Sequence, residues 1–93
     1  MIRSFRDAAT RTVFEGTYVR GFGPDIQRRA RRKLLMIDAA RDVEDLRVPP
    51  GNRLEKLSGD RDGQYSVRVN DQYRICFSWS DGSAENVALV DYH

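Results

Sequence analysis

From Tyr65 to Val90 the chain alternates apolar and polar side chains through three successive runs. Tyr65, Val67 and Val69 alternate with Ser66 and Arg68. Tyr73, Ile75, Phe77 and Trp79 alternate with Arg74, Cys76 and Ser78, and Val87 and Leu89 come after the Asp81-Gly82 turn. A two-residue period over runs of this length marks strands with one buried and one open face. The C-terminal part is therefore expected to be an antiparallel meander. Directly opposed residues of an antiparallel pair share a face. That parity excludes a two-residue loop in a regular ladder and fits Asn70-Asp71-Gln72 as the loop, with Val69 opposite Tyr73. Counting outward places Arg68 directly opposite Arg74, on the face away from the aromatic residues.

Two like charges facing each other across a strand pair cost about 0.2–1 kcal/mol. Either both side chains splay into water, or they form an anion site in which a phosphate accepts their forked hydrogen bonds. After Arg74 that face of the strand carries only Cys76 and Ser78, a small and open floor suited to a polymeric ligand. Parity in the last strand puts Ala88, Val90 and Tyr92 on the same side as Arg74. The sequence closes Asp91-Tyr92-His93 with its one histidine. A terminal His is most often inert, but His is the side chain that gives or takes a proton near neutral pH. Asp91 is placed to orient it or raise its pKa.

The first half reads as helical. Ile2 to Phe5 is a short strand candidate, and Asp7 can cap a helix over Ala8–Phe14 that Gly16 ends. Pro24 opens a second helix running to about Ala40, with Asp25 favourable to its N-terminal dipole. Ile26, Ala30, Leu34 and Ile37 make its apolar stripe. Arg28, Arg29, Arg31, Arg32 and Lys33 cover most of the rest. A solvated face is the commoner meaning of such a run. Without interleaved Glu, however, these cations repel one another, which admits a second reading as a docking surface for an RNA backbone. Acidic and turn-forming residues come next, from Asp42 to Gly51. Arg53 to Leu57 is a short strand candidate before the Gly59–Gly63 turn cluster. Helices succeeded by a meander give an α+β arrangement with the helices on one sheet face.

Ninety-three residues with 40% apolar content allow one domain spanning 1–93 and one modest core. The longest apolar stretch, Leu34–Ile37, is far short of a membrane span. The first residues have no apolar core of a secretory signal, and a single cysteine, Cys76, cannot form an internal disulfide. Both point to the cytoplasm. Net charge is only +2, but residues 20–41 carry a net +5 and residues 42–93 a net −4. Fourteen of the sixteen cations are Arg. Codon usage accounts for that as readily as the fit of guanidinium to phosphate and base does. No His/Cys set has metal-ligand spacing, so neither metal nor cofactor is expected.

The opening Met1–Phe5, the Gly59–Gly63 turn, the Tyr73–Phe77 strand and the closing Val90–His93 resemble the HigB group of RelE-type bacterial toxins, over the whole chain. The resemblance implies a small α+β fold with an N-terminal strand and two helices on a curved antiparallel sheet. It further implies a ribosome-dependent endoribonuclease toxin that cuts mRNA in the A site of the 70S ribosome. Its partner would be a HigA-type helix-turn-helix antitoxin, with operator DNA reached only through that antitoxin. By motif, Arg68 and Arg74 match phosphate contacts and Asp91, Tyr92 and His93 match the closing active-site triplet. Arg28, Arg29, Arg32, Lys33, Arg53 and Lys56 are the expected RNA- or ribosome-binding residues. The chain departs from the pattern before the Gly-Asp turn. Some members have a His and a Lys there, whereas this sequence reads Leu54-Glu55-Lys56-Leu57-Ser58; Arg53, Lys56 or Arg68 would then have to substitute. Two rivals stay open: a ParE-like inhibitor of DNA gyrase, and a non-catalytic module binding rRNA or an acidic protein.

Overall fold

A computed structural model describes residues 1–61 and 63–92. Its elements run α1 (Ala8–Phe14), α2 (Pro24–Ala39), β1 (Glu55–Lys56), β2 (Gln64–Arg68), β3 (Tyr73–Ser80) and β4 (Ser83–Asp91). Short 3-10 segments at Val43–Arg47, Pro50–Asn52 and Gly59–Arg61 complete it. The strands form one antiparallel sheet in the order β1-β2-β3-β4. As expected from the sequence, the fold is α+β with two helices against one sheet.

Asp7 caps α1 by accepting from the Thr10 amide at 2.7 Å, and Gly16 beyond its end has φ +86°, a conformation that a Cβ would disfavour. Pro24 sits in the first turn of α2. Ala30, Leu34 and Ile37 are fully buried against Val67, Val69, Ile75, Phe77, Val87 and Leu89 from the sheet. The expected stripe needs one adjustment, since Ile26 is only partly buried while the neighbouring Gln27 is buried. The Gln27 amide accepts from Val19 N at 2.7 Å and donates to the carbonyls of Val19 and Phe22 at 3.0 Å. It thereby ties the α1–α2 loop to the helix, and a polar side chain can take a core position because every one of its bonds is met.

Two of the expected strands are shorter than the sequence suggests. Ile2–Phe5 makes only isolated parallel bridges, Ile2 to Ala84 and Phe5 to Val87. The interruption lies at Asn86, the extra residue of a β4 bulge, where φ is +53°. Its amide donates to the Ser4 hydroxyl at 2.9 Å instead of to a ladder carbonyl. The strand expected over Arg53–Leu57 contracts to Glu55–Lys56, because Arg53 takes the left-handed conformation (φ 44°, ψ 55°) and breaks the extension.

The acidic segment after α2 is structured rather than a plain turn. Asp42 and Asp45 form a capping box that orders Val43–Arg47 and buries Val43 and Leu46. Asn52 fastens the 46–52 segment to α2. It is 1% exposed, donates to the Leu46 carbonyl at 3.1 Å and accepts from Lys33 Nζ at 2.6 Å. Replacing Asn52 by Ala leaves a buried carbonyl and an ammonium without that partner. It is expected to lower stability by about 1–3 kcal/mol in urea unfolding, whereas a change under a few tenths would mean that water fills the gap.

Candidate functional site

The β2–β3 register sets Arg68 opposite Arg74, and the β3–β4 register sets Arg74 opposite Val90. Arg74 therefore stands on the sheet face away from the helices. The floor around it is small and buried: Ser66, Cys76 and Ala88. An uncovered sheet face normally carries side chains that water can solvate. Here Arg74 is only 8% exposed, so each N–H group of its guanidinium must be accounted for. Nε donates to Ser66 Oγ at 2.8 Å, and Nη2 donates to the Arg53 carbonyl at 2.6 Å and the Ser66 carbonyl at 3.3 Å. The left-handed turn at Arg53, costly for a residue with a Cβ, is what aims that carbonyl. One edge of the fork is thus spent on anchoring. The other, Nη1, lies 4.0 Å from Glu55 Oε1.

Arg53, Glu55, Arg68, Asp71, Arg74 and Tyr92 wall a cleft of about 290 Å³. The Tyr92 ring lies 5.7 Å from the Arg74 guanidinium carbon, in cation–π range. Its backbone N–H donates to the Gln72 carbonyl at 2.7 Å, which fastens the end of β4 to the hairpin loop. That loop is shaped by Asn70, whose Oδ1 accepts from the amides of Gln72 (2.9 Å) and Tyr73 (2.7 Å). Three arginines against two carboxylates leave the cleft net positive.

Both readings of the pair, splayed into water or bridged by a phosphate, left the two guanidinium groups without a protein counter-ion, and here the structure corrects them. Arg68 is paired with Asp71 and Arg74 has Glu55 within reach. Both partners come from local geometry. Asp71 projects from the hairpin loop three residues past Arg68, and Glu55 is registered against Ser66, which puts it on the cleft face. Asp71 is fully exposed in its side chain. Its ion pair is therefore weak and yields readily to a phosphate.

Other expected site residues divide. Arg53 lines the cleft. Lys56 does not: it is registered against Tyr65 on the opposite sheet face. Asp91 is registered against Tyr73, also on that other face, and accepts from Gln72 Nε2 at 3.1 Å. It supports the hairpin loop behind Tyr92 and is not among the described residues that wall the cleft. His93 lies outside the described residues. On α2, Arg28 pairs with Asp25 and lines a separate groove with Arg31 and Tyr18. Arg29, Arg32 and Lys33 instead gather with Arg68 around a second pocket. Glu55 and Ser66 were not singled out in the sequence. Ser66 was within reach of strand counting, since it shares the cleft face two residues from Arg68.

The sequence matches, over residues 3–93, the family model described as a RelE-like toxin of the type II toxin–antitoxin system HigB. It is 31% identical over 93 residues to Endoribonuclease HigB of Proteus vulgaris, covering 100% of both chains. It is 55% identical over 58 residues to Toxin HigB-1 of Vibrio cholerae, covering 62% of this chain and 61% of that protein. Among solved structures, the fold is similar to the YoeB–YefM complex from Staphylococcus aureus. The TM-score is 0.65 at 18% identity, covering 100% of this chain and 98% of that one.

Proposed function

Since the chain belongs to the HigB-like family of RelE-like type II toxins, we propose that it is a ribosome-dependent endoribonuclease that cuts mRNA in the A site and so stops translation. The observation that carries the reading is the half-anchored Arg74, a buried guanidinium with one edge tied to Ser66 and Arg53 and the other turned into an open cleft. An arginine immobilised in that way is preorganised for a phosphodiester.

The reaction needs no cofactor, because RNA brings its own nucleophile. The 2′-oxygen attacks phosphorus, the bond to the 5′-oxygen breaks, and the products are a 2′,3′-cyclic phosphate and a 5′-hydroxyl. Arg74 and Arg68 balance charge on the non-bridging oxygens, Arg68 turning from Asp71 to do so. Tyr92 stacks on or orients the nucleotide. Glu55, on the cleft face beside Arg74 Nη1, takes the 2′-hydroxyl proton. His93 gives a proton to the leaving oxygen. Asp91 acts from behind, holding the loop that positions Tyr92.

The proposed setting is the cytoplasm, with a HigA-type helix-turn-helix antitoxin as partner and operator DNA reached through it. An antitoxin partner has general support from the family description and from the relative solved as a YoeB–YefM complex. No helix among the described residues is long and apolar enough to cross a membrane.

The test is cleavage of a defined message on programmed 70S ribosomes by purified protein. Cuts at the A-site codon ending in a cyclic phosphate, with naked RNA left nearly intact, are expected. An intact message together with blocked DNA gyrase supercoiling would replace this reading with the ParE-like one.

A further inference from the structure

Beside the cleft lies a second pocket of about 210 Å³, lined by Arg29, Arg32, Lys33, Gly51, Arg68 and Val69. Four cations from two elements meet there; Arg68 is paired with Asp71 at the cleft, and no carboxylate is among the described residues that line the pocket. Arg29, Arg32 and Lys33 are three and four residues apart on α2 and so share one flank of the helix. Arg68 comes from β2 and walls both this pocket and the cleft.

A solvated basic face would let all four side chains spread into water; Arg29 and Arg32 are exposed, but Lys33 and Arg68 are held back. Lys33 is partly buried, and its ammonium is held at 2.6 Å by Oδ1 of Asn52, itself fixed by the Leu46 and Val48 carbonyls. The Arg68 side chain is 30% exposed, mostly covered by its surroundings. The crowding is felt electrostatically. Burial, and then the charges of Arg32, Arg29 and Arg68, lower the Lys33 pKa from its ordinary 10.5. A group held charged at such a site gains from any anion that enters.

We propose that this pocket is a second phosphate site, which holds a linkage flanking the scissile one on the same RNA strand. The inference rests on the RNA substrate proposed above and extends it. A carboxylate-bearing protein segment has the right charge sign too. The shared Arg68 favours RNA, because a single strand presents phosphates at regular spacing and one occupant then fills both sites. Guanidinium forks from Arg29 and Arg32 suit the two non-bridging oxygens of a phosphodiester, with Lys33 as a point charge beneath.

The experiment measures binding and needs no cleavage, so it stands apart from the ribosome assay. A short RNA with 2′-deoxyribose at the cut position is compared, by fluorescence anisotropy at low salt, with strands whose flanking linkages are made neutral methylphosphonates one at a time. On the wild-type protein, neutralising one particular flanking linkage is expected to weaken binding about tenfold, the size of a charge-assisted contact. On Arg32→Ala and on Lys33→Ala the same neutralisation costs less than about twofold, because the contact is already gone. Thermal unfolding of each variant checks that it is folded, and Lys33→Arg is expected to restore the discrimination in part.

Absence of wild-type binding to the charged strand, or equal wild-type binding to charged and neutral strands, overturns the proposal. So does an unchanged penalty in both variants, which assigns the α2 cations to some other surface. Loss of antitoxin binding in the variants with intact RNA discrimination also overturns it and makes the pocket a protein-docking site.

Discussion

Arg74→Ala is expected to lose about 10²–10³ of message cleavage on programmed ribosomes, the range seen when one preorganised donor to a developing anion is removed. The geometry makes Arg74 the most exposed to failure of the site residues. Its Nε and Nη2 are committed to Ser66 and Arg53, so Nη1 reaches the cleft without further ordering when RNA binds. The same anchoring gives the substitution a structural side. Removing the side chain leaves the Ser66 hydroxyl and the Arg53 carbonyl without that donor, at about 1–3 kcal/mol where water does not replace it. Cleavage and thermal unfolding must therefore be measured together. Arg74→Lys separates the two effects: it keeps the charge but cannot bond Ser66, Arg53 and a phosphate at once, so most of the activity loss is expected to persist. Wild-type cutting by a folded Arg74→Ala protein would remove the phosphate clamp from the mechanism. Arg68→Ala is the milder lesion, since its ion pair with Asp71 already lies at the cleft rim.

Period and turn chemistry were the legible part of the sequence. α1 is set by its Asp7 cap and α2 by Pro24 and its apolar stripe, and the Arg68–Arg74 pairing came from counting across Asn70-Asp71-Gln72. Charge compensation was not legible in that way. Asp71 is close in sequence, but nothing in the parity rule says that a loop carboxylate will turn back to a strand arginine three residues earlier. Glu55 was harder still, because a two-residue strand has no period from which to assign a face. Asn52 and Gln27 look like ordinary loop and helix-surface residues. Their burial appears only once the 46–52 and 17–23 segments fold over the helix they bind. The RelE-type resemblance brought in the closing triplet, yet position along β4 separates its members, with Tyr92 in the cleft and Asp91 on the far face. The segment before the Gly-Asp turn, where the sequence departs from some members of the family, is the one that supplies Glu55.

Glu55→Gln is expected to lower cleavage by about 10²–10⁴, the contribution of a positioned general base, while tightening the binding of an uncleavable strand. The two signs come from one cause. A carboxylate 4.0 Å from Arg74 Nη1 competes with the phosphate for that guanidinium and repels it, so the amide removes both penalties. The amide also cannot accept the 2′-hydroxyl proton, so chemistry slows even as binding improves. A purely positioning role gives a different pattern. If Glu55 served to hold Arg74 in place, the amide would weaken binding and cleavage together, and Glu55→Asp would rescue neither. Structural collapse is a poor alternative explanation, since Glu55 is exposed on a short edge strand and Arg74 keeps its bonds to Ser66 and Arg53 in the variant. Single-turnover rates on saturated ribosomes, set beside affinity for the 2′-deoxy strand, separate these cases. Slower chemistry with unchanged or tighter binding assigns the proton to Glu55. Unchanged chemistry returns it to His93, the remaining group of the closing triplet able to take a proton near neutral pH.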